Sequence, residues 1–96
     1  MSRFLWSRPD LPNVTLKVKR PMHRGANVLR VQRALVSLGY PPDKKANQRG
    51  ADGWYGTKTA NAIRRFQRDH GLKVDGIYGP ATRAAMLRGV QSLQFA

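Results

Sequence analysis

Apolar residues recur along this chain in three helix-spaced stretches, separated by turns rich in glycine, proline and aspartate. Val28, Val31, Leu35 and Leu38 follow one another at intervals of three or four, which lays them in one stripe with Arg30 and Arg33 elsewhere on the wheel. Asn27 suits the N-cap of this first helix, and Gly39 with Pro41-Pro42 ends it. Ala60, Ile63 and Phe66 predict a second helix that begins after Gly56 and stops at Gly71. A third runs from Pro80 towards Arg88, with Ala84, Ala85 and Met86 inward and Gly89 weakening it before a tail. The stretch from Pro41 to Ala51 is polar and reads as a loop. Ahead of the helices, Pro9, Pro12 and Pro21 punctuate an extended arm. In it Val14, Leu16 and Val18 alternate with polar neighbours as in a short strand, and Phe4, Leu5 and Trp6 can pack back on the body.

Two of the turns spell one phrase. Asp52-Gly53-Trp54-Tyr55-Gly56-Thr57-Lys58-Thr59 is echoed by Asp75-Gly76-Ile77-Tyr78-Gly79-Pro80-Ala81-Thr82, and Ala62 and Ala85 extend the match to D-G-x-Y-G-x-x-T-x-x-A. A turn-plus-helix unit has been used twice. Proline is favoured at the first helical position, so Pro80 makes Gly79 and Gly56 the N-caps and puts Thr82 and Thr59 three residues in. Gly53 and Gly76 are expected at positive φ, with Asp52 and Asp75 accepting backbone N–H groups across each turn. The expected fold is all-α: a compact three-helix domain with two repeated D-G-x-Y-G turn-helix units and an extended N-terminal arm. Residues 1–24 form the arm, 25–90 the domain and 91–96 the tail.

Composition bounds the chemistry. The 96 residues suffice for one domain with a modest core, and with no cysteine there is neither a disulfide nor a thiolate site. Eighteen Lys and Arg face five acidic residues, all aspartate, for a formal charge of +13, which favours an anionic partner: nucleic acid, a membrane surface or an acidic wall polymer. No apolar run is long enough to span a membrane, and the first residues do not read as a secretion signal.

The motifs Val28-x-x-Val31-Gln32-x-x-Leu35-x-x-Leu38-Gly39-Tyr40, then Asp52-Gly53-x-Tyr55-Gly56-x-x-Thr59-x-x-Ala62-x-x-x-Phe66-Gln67, then Gly71-Leu72-x-Val74-Asp75-Gly76-x-x-Gly79-Pro80-x-Thr82 occur in that order. They closely resemble the three-helix peptidoglycan-binding domain of bacterial and phage cell-wall hydrolases, from about Pro21 to Leu87. The resemblance implies a non-catalytic module that docks a lysin, hydrolase or phage particle onto murein, and hence action at the bacterial cell wall. A related module in matrix metalloprotease pro-segments uses a cysteine on zinc, a role closed here. The long basic loop carrying Lys44, Lys45 and Arg49, and the basic arm, depart from the usual pattern.

Enzyme chemistry finds little support. Glycoside hydrolysis uses two flanking carboxyl groups, whereas two of the five aspartates belong to the turns. His23 and His70 alone fall short of a three-ligand zinc site, so neither metal nor cofactor is expected. Binding candidates are Trp54, Tyr55 and Tyr78 in the turns and Tyr40 after the first helix, whose rings can pack on sugars or peptide stems. The two repeated tyrosines suit core spacers better than ligand contacts, since repeated positions in a duplicated unit are usually structural, whereas Trp54 faces Ile77 in the other copy, so the repeat does not require its size. Gln32 serves either ligand contact or a loop hydrogen bond, and Arg30, Arg64 and Arg68 can pair with stem-peptide carboxylates. Two alternatives remain: a basic nucleic-acid-binding protein, or a structural subunit of a larger, phage-tail-like assembly. Against the former, the loop after the first helix is too long for a helix-turn-helix.

Overall fold

A computed structural model describes residues 11–94; Phe4, Leu5, Trp6, Pro9, Asp10, Phe95 and Ala96 lie outside them. Three helices, α1 (Ala26–Leu38), α2 (Thr57–Asp69) and α3 (Pro80–Gln94), are linked by loops, with a short 3-10 turn at Asn47–Gly50. The start of α1 corrects the expectation: Gly25, at φ 112°, occupies the N-cap and Asn27 lies inside the helix. Both helix ends behave as their glycines require. Gly39 (φ 94°) and Gly71 (φ 70°) turn left-handed, so the Tyr40 N–H reaches the Leu35 carbonyl (2.7 Å) and the Leu72 N–H the Gln67 carbonyl (2.9 Å).

Val28, Val31 and Leu35 of α1, Ala60, Ala62, Ile63 and Phe66 of α2, and Ala85 and Met86 of α3 are buried together. Two differences from the sequence reading lie in α3. Ala84 is exposed, and the helix runs through Gly89 instead of fading into a tail. A Cβ on Gly89 would meet Leu38 Cδ2 at 2.8 Å, so the glycine lets α3 lie close against α1.

The expected strand at Val14–Val18 reduces to a single bridge, Leu16 with Tyr78, whose N–H and C=O groups exchange two 2.9 Å hydrogen bonds. Val14 and Val18 stay exposed, while Leu11 and Leu16 enter the core. A second bridge joins Arg24 to Trp54, through Gly25 N–H to the Gly53 carbonyl and Tyr55 N–H to the His23 carbonyl (both 2.9 Å). The arm is therefore stitched across both repeated turns, one bridge to each.

Candidate functional site

Each D-G turn is held from within by a glutamine on the preceding helix. Gln67, only 2% exposed, accepts the N–H groups of Asp75 and Gly76 (both 3.0 Å) on its carbonyl oxygen. Its amide donates to Asp75 Oδ1 (2.9 Å), the Ile77 carbonyl (3.1 Å) and Thr82 Oγ1 (3.1 Å). Gln32 repeats the pattern: it accepts the Gly53 N–H (2.7 Å) and donates to Asp52 Oδ1 (3.2 Å), the Trp54 carbonyl (3.0 Å) and Thr59 Oγ1 (2.9 Å). Gly53 and Gly76 adopt φ 86° and 73°, and Asp52 and Asp75 accept the N–H groups of Trp54 (3.0 Å) and Ile77 (2.9 Å). The Ile77 N–H, helped by Gln67 and Lys73, holds the Asp75 carboxyl below its ordinary range.

This network consumes several residues expected at a ligand. Tyr55 and Tyr78 have no exposed surface, and their hydroxyls donate to the Gly76 and Pro12 carbonyls (both 2.7 Å). Burial pushes both phenols up, Tyr78 to about 12. Gln32 is equally buried. Tyr40 donates to Asp69 Oδ2 (2.7 Å) and stands edge-on to Phe66, with ring centroids 5.5 Å apart. The Asp69 hydrogen bond raises its pKa. Arg30 and Arg64 hold the side chains of Asn27 (3.0 Å) and Asn61 (2.7 Å) beside them on their own helices. Arg64 also covers the second turn, where a Cβ on Gly76 would meet its guanidinium carbon at 2.9 Å. Arg68 is exposed on α2.

Trp54 is different. Its side chain stands out, 46% exposed, at the edge of a groove of about 410 Å³. Met22 from the arm, Pro42, Asp43, Ala46 and Gly50 from the loop, and Asp52 with Gly56–Thr59 from the turn and the start of α2 complete the lining. The volume lies in the lower part of the ~300–1,000 Å³ range of small-ligand clefts. Arg30, Arg64, Arg68 and Tyr40 do not line it. Lys58 Nζ bonds Asp43 Oδ2 at 2.6 Å across the groove's rim, which holds the Asp43 carboxyl below its ordinary range and the Lys58 ammonium above its own. On the arm side, burial and then the neighbouring Lys19 and Lys17 lower the pKa of His23.

The loop wall is prebuilt. Gln48 and Arg49 both take left-handed φ (54° and 55°), a conformation that strains residues other than glycine, and Gly50 follows at 90°. The Asp43 N–H bonds the Arg49 carbonyl (3.0 Å), and the Asp43 carboxylate accepts the Lys45 N–H (3.1 Å). A Cβ on Gly50 would lie 2.6 Å from the Asp43 backbone nitrogen. Gly50→Ala is therefore expected to cost about 1–3 kcal/mol in thermal unfolding and to open the groove's wall. An unchanged melting temperature would mean that the loop adapts.

The two copies of the turn are not equivalent around this framework. Between Gln32 and Asp52 the first copy inserts the polar loop, whereas Gln67 and Asp75 are joined by one tight turn. The groove and the exposed aromatic thus belong to the first copy, and half-buried Ile77 occupies the Trp54 position in the second. Met22, Pro42, Asp43 and Lys58 line the groove without a mark in the sequence, because no local pattern links an arm, an insert and a helix start.

Residues 24–86 match the family model of the peptidoglycan binding domain. The chain belongs to this peptidoglycan-binding family. A Bacillus licheniformis protein named "Probable N-acetylmuramoyl-L-alanine amidase" is 54% identical over 77 residues, which cover 80% of this chain and 22% of that protein. The N-acetylmuramoyl-L-alanine amidase CwlA of Bacillus subtilis (strain 168) is 55% identical over 65 residues, covering 68% and 24%. The crystal structure of the SleB N-terminal domain matches with a TM-score of 0.69 at 27% identity, covering 84% of this chain and 99% of that one. The chain thus spans about a quarter or less of the length of these amidases. Among the described residues no three His, Asp or Glu side chains gather as a metal site, and no helix is long and apolar enough to cross a membrane.

Proposed function

We propose that this chain anchors a wall-acting protein to peptidoglycan through the groove of its first turn and carries no catalysis of its own. The asymmetry between the two copies is the observation that carries the reading. The same scaffold occurs twice, and the exposed indole, the inserted loop and the hollow coincide in one copy. An indole face offers apolar contact to a sugar ring, while Lys58, Asp43 and Asp52 supply the polar contacts that fix its orientation. The cationic arm and loop add attraction to acidic wall polymers. The four described aspartates argue against hydrolysis: Asp52 and Asp75 hold turns, Asp43 holds Lys58, and Asp69 accepts from Tyr40.

The test is retention on purified sacculi stripped of nucleic acid and acidic polymers, at ~0.3 M salt, where screening reaches within about 6 Å. Retention on sacculi and passage through DNA-cellulose is the expected result. Loss of the sacculus signal with retention on DNA would overturn the reading in favour of a nucleic-acid partner.

A further inference from the structure

Trp54 borders two hollows. The second, about 320 Å³, is lined by Arg24, Gly25, Leu29, Asp52, Gly53 and Trp54, and shares Asp52 and Trp54 with the groove described above. The Arg24 guanidinium carbon lies 5.3 Å from the indole centroid, within cation–π range, and no carboxylate pairs with it among the described residues. Leu29 gives this hollow an apolar wall, and Gly25 and Gly53 leave its backbone open to close approach. Asp52 cannot swing towards Arg24 without releasing Gln32 and the Trp54 N–H, which both use its Oδ1.

We infer that the two hollows are consecutive subsites of one extended site, so that the recognised unit is a glycan segment longer than one disaccharide, crossing the Trp54 ridge and offering a carboxylate to Arg24. The inference rests on the wall-binding reading above and adds to it a ligand length and a second contact point. A ligand that fills one subsite holds its next unit at high effective concentration over the other, so affinity rises with length. The guanidinium is exposed and already oriented by the indole, and it can meet a stem-peptide carboxylate with two parallel N–H groups. Its removal leaves the fold's bridge in place, because the bonds there run between backbone atoms of Gly25 and Gly53 and of Tyr55 and His23.

The experiment is calorimetric titration of the 96-residue chain with two muramidase products: a disaccharide bearing one stem peptide, and an uncross-linked tetrasaccharide bearing two. Wild type is expected to bind the tetrasaccharide at least about tenfold more tightly. Arg24→Ala is expected to weaken the tetrasaccharide at least about fivefold more than the disaccharide and so to remove most of the difference between them. Equal affinity of wild type for both ligands would overturn the inference and leave a single-unit wall binder. Equal weakening of both ligands by Arg24→Ala would also overturn it, since Arg24 would then act only by propping Trp54. Binding of neither ligand would sink the wall-binding reading together with the inference.

Discussion

Gln67→Leu is expected to lose about 3–5 kcal/mol of stability, enough to unfold much of the population in a domain whose total is ~5–15 kcal/mol. Leucine fills a similar volume, so the loss measures polar satisfaction and not a cavity. It strands the Asp75 and Gly76 N–H groups and takes a donor from the Ile77 carbonyl and from Thr82, all around a side chain that water scarcely reaches. Each buried group left unpaired costs about 1–3 kcal/mol. Urea unfolding followed by circular dichroism gives the number. A loss under about 1 kcal/mol would show that the second turn holds its shape through Gly76, Asp75 and the Leu16–Tyr78 bridge without the glutamine.

Trp54→Ala is expected to reduce retention on sacculi at least about tenfold, in keeping with the ~2 kcal/mol or more of an aromatic anchor at a binding surface. Its main chain stays tied by the Arg24 bridge and by Gln32, so the midpoint of unfolding should move by no more than about 1 kcal/mol. Ile77→Ala, at the equivalent position of the second copy, is the matched control and should leave retention intact. Full retention by the tryptophan variant would remove the groove as the binding site, and parallel losses in both variants would point to a general loosening of the repeat.

The comparison between copies also explains which residues local sequence could expose. Periodicity identified the helical stripes, and the glycine and proline positions marked the helix ends, because both follow from contacts within a few residues. Gly25 took the cap from Asn27 because its N–H is drawn to the Gly53 carbonyl of the first turn, a partner far along the chain. At Gly89, inside α3, a side chain would run into Leu38 of α1, which no reading of the α3 segment alone can reveal.

From its own residues the chain specified three helices, two equivalent D-G turns and a strong attraction to anions, since propensity, capping and net charge act locally or simply add. The division of labour among similar side chains arose only on folding. Tyr55 and Tyr78 became hydrogen-bonded core while Trp54, next in sequence to one of them, stayed in solvent, because the arm's bridges and the glutamine staples fix which way each turn faces. The groove has no sequence of its own. It exists because Met22, the inserted loop and the start of α2 converge on one indole from three separate parts of the chain, and that convergence is a property of packing.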